Sequence, residues 1–333
     1  MKIIVIDINN EYGGGQVFAK NVLAKLDGEI LFLVRSKQLS LELDNVILLE
    51  ESNFFKICLE IKKKLENFVP DVVILNGGLA LFIPLFTFKR WKYIFYKHST
   101  YLGVSIKKRI IFFILLNLSY LKARKIICVS RYCAKEELFF NKKIIIIHHG
   151  VDLQRVQKKN NNETDKLIFI YVGRIVKSKG VDLILEYFYN TNIKDREVII
   201  VGDEEKSDFD ISKYKNIPSI HFVGLKNNPF DYYKNADFLI TLPTDEAFGL
   251  TIIEAMASEC VVIATKVGGI PEIITDRENG YLIKPSQLFS FLDNLKNKNE
   301  YKNIKLNALK TVENFFLIEN EIYKINETIR SIV

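Results

Sequence analysis

The stretch Glu246–Glu259, EAFGLTIIEAMASE, decides how this chain reads. The apolar run before it, Asp237–Leu242, has the character of a buried strand, and Thr251–Ser258 has helical spacing. The Phe248-Gly249-Leu250 turn therefore falls at the carboxyl end of a strand and the start of a helix, where α/β proteins bind ligands. Free N–H groups at such a helix start attract phosphate, Gly249 lets the backbone approach closely, and Glu254 lies about one turn inside the helix. Glu246 and Glu254 thus bracket the turn. A carboxylate only accepts hydrogen bonds, and its two oxygens match the paired donors of a vicinal diol, so two carboxylates around a phosphate-binding turn suit a nucleotide sugar. For an isolated pair, solvated helix-start residues favoured by the dipole would be the simpler reading. The rest of the chain shifts that balance.

With 333 residues the chain is long enough for two domains, and two domains imply a cleft. An apolar fraction of 48% and a charged fraction of 26% are those of a soluble globular protein, and the opening residues lack the pattern of a signal peptide, so a cytoplasmic location is expected. Cys58, Cys128, Cys133 and Cys260 form no CxxC or zinc spacing and read as reduced core thiols. Apolar strands alternate with helical stretches, which predicts parallel sheets. The strands expected in the first half are Lys2–Asp7, Ile30–Val34, Val72–Leu75, Tyr93–Tyr96, Lys125–Val129 and Ile144–His148. In the second half they are Leu167–Val172, Glu197–Val201, Ile220–Val223, Phe238–Leu242 and Val261–Thr265. The polar stretch Gln157–Lys166 reads as a linker or exposed loop, which sets domains of 1–152 and 153–312. An amphipathic tail helix, 313–333, could return to the first domain.

Four further places carry chemistry. Gly13-Gly14-Gly15 follows the first strand and precedes a helical pattern, so its backbone can approach a phosphate or sugar. Phe18 stands where a dinucleotide fingerprint needs its third glycine, which disfavours a dehydrogenase. In YVGRIVKSKG, Arg174 and Lys179 could neutralise the charge that develops on a departing diphosphate, in place of a metal. His98 ends a strand-like run and could hydrogen-bond a sugar hydroxyl or the leaving group, whereas His148, His149 and His221 read as strand-end or surface residues. Asp208-Phe209-Asp210 is a D-x-D, but its charged surroundings favour a solvated loop over a metal site.

Together these residues resemble the retaining glycosyltransferases of family four. The resemblance runs through EAFGLTIIEAMASECVVIATKVGGIPEII, with its E-x7-E pair and GG-x-PE turn, through YVGRIVKSKGVDLIL, IVGDEE, HFVGL and Gly150-Val151-Asp152, to the glycine turn after the first strand. It implies a GT-B fold, two Rossmann-like parallel-sheet domains facing a central cleft, the second holding the donor and the first the acceptor. It further implies that Glu246 contacts the donor sugar, Glu254 the ribose diol, and Arg174 and Lys179 the diphosphate. Phe248, Gly249 and Leu250 would lend backbone amides, Gly14 and Gly15 would approach the donor, and His98 would lie near the donor sugar and leaving phosphate. Ser99 follows His98 where many members have Asp. The family needs no metal or other cofactor beyond its UDP- or GDP-linked sugar substrate, and it points to bacterial surface-polysaccharide or lipid-linked glycan assembly, with lipopolysaccharide, capsule and protein glycan all open. A GT-B nucleotide-sugar epimerase and a non-catalytic nucleotide-sugar binder are the other readings.

The charge of the chain is uneven. The whole carries a formal +7, yet residues 1–150 hold 23 Lys/Arg against 13 Asp/Glu. No acidic residue lies between Asp71 and Glu136. In that interval Lys89, Arg90, Lys92, Lys97, Lys107, Lys108, Arg109, Lys122, Arg124 and Lys125 interleave with Phe86, Phe88, Trp91, Phe112 and Phe113. No nucleic-acid recognition motif accompanies the charge. An anionic membrane at the inner face of the plasma membrane, carrying a glycan or lipid-linked acceptor, is the expected partner. Ile110–Leu118 would be either an interfacial helix or a core helix, and is too short to span a bilayer.

Overall fold

A computed structural model describes residues 1–10, 13–87, 91–99, 106–135, 140–157, 166–191, 194–295 and 298–333, without the side chains of 106–110, 141, 298 and 299. The chain forms two compact units, Met1–His149 with Ile318–Val333, and Gly150–Leu317.

The first unit is built on seven strands: β1 Lys2–Asp7, β2 Glu29–Val34, β3 Val46–Leu48, β4 Val72–Asn76, β5 Tyr93–Lys97, β6 Ala123–Cys128 and β7 Ile144–Ile146. Their order is β3-β2-β1-β4-β5-β6-β7, every pair parallel. Ile3–Ile6, Val72–Leu75 and Tyr93–Tyr96 are completely buried, as expected of central parallel strands covered on both faces, and that is why they read as unbroken apolar runs. The helix Ile318–Arg330 belongs to this unit, where Asn326 Oδ1 accepts from Asp27 N at 3.1 Å and Arg330 pairs with Asp27 at 2.7 Å.

The second unit has six strands: β8 Leu167–Val172, β9 Arg196–Val201, β10 Ile220–Gly224, β11 Phe238–Thr241, β12 Val261–Thr265 and β13 Tyr281–Ile283. Their order, β10-β9-β8-β11-β12-β13, is again all parallel. The architecture is therefore α/β, with two doubly wound, Rossmann-like parallel sheets. In each the strand order reverses at one point, between β1 and β4 and between β8 and β11, and ligands bind open α/β sheets in the crevice at such a reversal.

Two strands have no forerunner in the sequence reading. β3 and β13 are three-residue edge strands, too short to display a period. The tail also differs from a single amphipathic helix. Lys302–Phe315 completes the second unit, the helical run is interrupted at Phe316-Leu317, and only Ile318–Arg330 joins the first. At the interruption, Phe316 O accepts from Val151 N at 2.8 Å, tying together the two segments that enter and leave the second unit.

Candidate functional site

In the second unit the loops leaving β8 and β11 are clasped together. Gly180 has φ +69°, and a Cβ there would lie 2.3 Å from the carbonyl oxygen of Leu242, so only glycine lets these loops approach. Thr244 N donates to Ser178 O at 2.9 Å. The clasp places Lys179 Nζ 2.6 Å from Glu246 Oε2, each side chain 24% exposed. Arg174, on the same loop as Lys179, is exposed. Among the described residues its guanidinium has no hydrogen-bond or ion-pair partner, while its carbonyl accepts from the buried Tyr171 hydroxyl.

The Gly268-Gly269 pair of the GG-x-PE turn acts on Glu246 through the backbone. Gly269 N donates to Glu246 O at 2.9 Å, and a Cβ on Gly268, at φ +57°, would lie 1.9 Å from that same oxygen. The second turn is thus a wall that fixes the Glu246 peptide. Next along the chain, Phe248 is 2% exposed and packs on Phe316 with ring centroids 5.7 Å apart, so its side chain is an anchor and only its backbone is on offer. Gly249, at φ +113°, opens the helix Leu250–Ala257, whose first amides have no partner within the helix. Leu250 is half-buried at that opening.

Glu254 lies on this helix and accepts from the Tyr233 hydroxyl at 3.3 Å. Burial pushes its carboxyl up to about 7, against the pull of the Arg155 charge and the Tyr233 hydrogen bond. The sequence reading missed Arg155 and Tyr233. Arg155 stands three residues beyond the Gly150-Val151-Asp152 motif and lies over the Phe230 ring at 5.2 Å, a placement that no local pattern announces.

Gly14, Gly15 and His98 belong to the first unit. Gly13 N donates to Gln16 Oε1 at 3.0 Å, closing the turn that starts the helix Gly14–Asn21, with Gly14 exposed. A Cβ on Gly15 would stand 3.9 Å from Asn76 Nδ2 and 4.0 Å from His98 Cδ2, ordinary contacts. The protein's own packing therefore leaves room there, and bare backbone is what a ligand would meet. His98 is not an open ring. Its Nε2 is 2.7 Å from Asn76 Oδ1 and its Nδ1 is 3.3 Å from His149 Nε2, so both nitrogens are engaged inside the unit. Burial, and then the His149 charge, hold its imidazolium form well below the usual range.

His149 corrects the sequence reading most directly: it is 5% exposed, stacked on His98 at 5.3 Å, and 2.8 Å from Glu321 Oε1. A histidine pair with a carboxylate 172 residues away leaves no trace in local sequence. His148 is half-buried, and His221 is exposed beside Glu197 at 3.2 Å. Asp208 and Asp210 are exposed and serve local backbone, accepting from Lys177 N at 2.9 Å and Ser212 N at 2.8 Å. Among the described residues, no three His, Cys, Asp or Glu are grouped to hold a metal ion. All four cysteines are buried thiols, none of them in a disulfide.

Residues 153–310 match the model for glycosyl transferases group 1, and residues 43–155 that for glycosyltransferase family 4. An uncharacterized glycosyltransferase of Methanocaldococcus jannaschii is 33% identical over 166 residues, 47% of this chain and 44% of that protein. The capsular polysaccharide biosynthesis glycosyltransferase CapM of Staphylococcus aureus is 25% identical over 191 residues, 50% of this chain and 49% of that one. The chain thus spans about half the length of these curated relatives. In fold it is similar to Anabaena HepE, solved in complex with UDP and glucose, at TM-score 0.86 and 16% identity over 99% of this chain and 100% of that one. Two glycosyltransferase models thus match successive parts of the sequence, and the fold beneath them, two Rossmann-like parallel sheets, is of the GT-B type.

Proposed function

We propose that this protein is a retaining, metal-independent glycosyltransferase that moves a sugar from a UDP- or GDP-linked donor to a glycan or lipid-linked acceptor in bacterial surface polysaccharide assembly. The observation that carries this reading is the Arg174–Lys179–Glu246 arrangement at the strand-order reversal of the second unit. A cation whose guanidinium has no hydrogen-bond or ion-pair partner among the described residues stands on the same loop as a cation held by a carboxylate, next to a helix N-terminus. Arg174 and the helix amides suit a diphosphate, and Glu246 suits sugar hydroxyls once Lys179 turns to phosphate. Glu254, one turn on, suits the ribose diol. The structural likeness to a protein solved with UDP and glucose supports a nucleotide-sugar donor, and the capsular relative supports a surface glycan.

In this reading Glu246 is committed to sugar hydroxyls and so does not serve as the nucleophile of a double displacement. Retention is therefore best served by attack of the acceptor hydroxyl on the face from which the diphosphate leaves, the departing phosphate taking the proton. Placement and charge stabilisation then supply the rate. In this reading the first unit works at an anionic membrane, since the helix Ile106–Tyr120 turns Ile111, Ile114, Leu115 and Leu118 outward.

A panel of UDP- and GDP-sugars screened by thermal shift, followed by transfer assays with the hits, tests the proposal, because a ligand selective for the folded state raises its apparent stability. Glu246→Ala and Glu254→Ala should remain folded and lose transfer at limiting donor. Near-wild-type transfer by either variant would overturn its role. Interconversion of the donor sugar with no acceptor present would instead identify an epimerase.

A further inference from the structure

Seven side chains in the first unit form one hydrogen-bonded chain that starts on the returning C-terminal helix and ends under the glycine turn. Glu321 Oε1 accepts from the Tyr96 hydroxyl at 2.9 Å and lies 2.8 Å from His149 Nδ1. His149 Nε2 meets His98 Nδ1 at 3.3 Å, and His98 Nε2 meets Asn76 Oδ1 at 2.7 Å. Asn76 Nδ2 donates to Asp7 Oδ2 at 2.7 Å and to Gly15 O at 2.9 Å. Gln16 Nε2 donates to both oxygens of Asp7 at 3.0 Å, and its Oε1 takes Gly13 N. Tyr96, His149, Glu321, Asn76, Asp7 and Gln16 are all buried, with Glu321 2% exposed.

The proton positions follow from the donors. Asn76 gives both amide hydrogens away, to Asp7 and Gly15, so its oxygen faces His98 and His98 Nε2 must be the protonated nitrogen. A neutral His98 then has a bare Nδ1, which requires His149 to donate from Nε2. Facing a carboxylate, His149 Nδ1 must donate as well, which makes His149 and Glu321 an imidazolium–carboxylate pair.

We propose that Glu321 is a positioning residue. By holding the second proton on His149 it fixes His98 as the Nε2–H tautomer, and through Asn76 it sets the backbone of the Gly13–Gly15 turn. The inference deepens the proposed donor role of His98 and Gly15 and rests on that reading for its function alone; the proton arrangement stands without it. Burial disfavours the alternative of a charged His98. Lys97, buried on the same strand as Tyr96, points its Nζ to Cys133 O instead, at 3.2 Å.

Glu321→Gln tests the arrangement, since the amide keeps the shape and removes the charge. With the Gln oxygen standing where Oε1 stands, since that atom accepts from the Tyr96 hydroxyl, a neutral His149 would hold its one proton on Nδ1 toward it, leaving two bare nitrogens face to face unless His98 moves its proton to Nδ1. His98 would then present a bare Nε2 to Asn76 Oδ1, and Asn76 would have to release Asp7 or Gly15. The chain has only four histidines, so long-range 15N–1H correlation on histidine-labelled full-length protein can read each ring, with assignments from His148→Asn and His221→Asn. The expected result is His98 protonated at Nε2 and His149 at both nitrogens in the wild type, and His98 protonated at Nδ1, wholly or in part, in Glu321→Gln. Tyr96→Phe, which removes a neighbour of Glu321 without its charge, should leave the wild-type pattern. An Nδ1–H tautomer of His98 in the wild type, an unchanged pattern in Glu321→Gln, or an equal change in Tyr96→Phe would each overturn the proposal. None of these readouts depends on transfer activity, so the proposal and the glycosyltransferase reading can fail separately.

Discussion

Glu254 is the residue whose environment makes the clearest demand on solution behaviour. Its folded-state value of about 7 lies above the ordinary 4.5, so the folded protein holds this proton more tightly than the unfolded chain. The stability that it contributes is complete below pH 4.5 and is lost as pH rises through about 7. A diol that donates to the carboxylate reverses the preference and expels the proton. Donor affinity, measured by calorimetry, should therefore rise as pH is raised through about 7. Glu254→Gln should flatten that dependence, bind the donor more weakly and melt no lower than wild type at alkaline pH, whereas a pH-independent wild-type affinity would remove Glu254 from the diol. Arg174, whose guanidinium has no hydrogen-bond or ion-pair partner among the described residues, presents the converse case. Arg174→Ala should leave Tm within about 0.5 kcal/mol equivalent of wild type, the range of ordinary surface substitutions. It should lower turnover by on the order of 10²-fold, as when one preorganised charge stabiliser is removed. Unchanged steady-state turnover would put the diphosphate elsewhere.

At the scale of elements, the helix Ile106–Tyr120 departs from a simple core assignment. One side buries Leu116, Ser119 and Tyr120, with Ser119 Oγ bonded to Leu81 O at 2.5 Å. Ile111, Ile114, Leu115 and Leu118, spaced as one helical stripe, are 58%, 53%, 38% and 49% exposed. Not every cation of the basic interval faces solvent. Lys97 is buried, Lys122 Nζ caps the carbonyls of Pro84 and Thr87, and Trp91 is buried, so these three cannot contribute to a membrane face. Phe88, Lys89 and Arg90, and the side chains of Lys107, Lys108 and Arg109, lie outside the described residues. Among the described residues no helix is long and apolar enough to cross a membrane. Co-sedimentation with vesicles should show binding to anionic lipid that weakens at high salt. Replacing Lys107, Lys108 and Arg109 by Ser should cost on the order of 10²-fold in partitioning at about 1 kcal/mol per cation. Replacing Ile111, Ile114 and Leu118 by Ser should also weaken it. Equal binding to neutral vesicles would reject the electrostatic part.

For the whole molecule, metal independence is the prediction that separates mechanisms. EDTA should leave transfer unchanged; loss of activity restored by manganese would return Asp208 and Asp210 to consideration. Most of the framework was legible beforehand. Central parallel strands are buried on both faces, so β1, β8 and β12 appear in the sequence as apolar runs with their observed ends, and Gly249 marks a turn whose positive φ only glycine adopts without strain. Local chemistry of this kind sufficed to single out Lys179, Glu246 and the Phe248–Leu250 turn, because each lies within a few residues of a strand end. It could not show that Lys179 would hold Glu246, that the Gly268-Gly269 pair would press on the Glu246 peptide, or that Arg155 would act on Glu254. Nor could it place Glu321 beside His149. The sequence alone determined the α/β class, the strand order's raw material and the turns at the strand ends, since backbone sterics and burial act over a handful of residues. Which charges meet, which nitrogens carry protons and which apolar stripe stays outside were decided only by tertiary structure, since the first two depend on contacts between residues 22 to 172 apart in the chain.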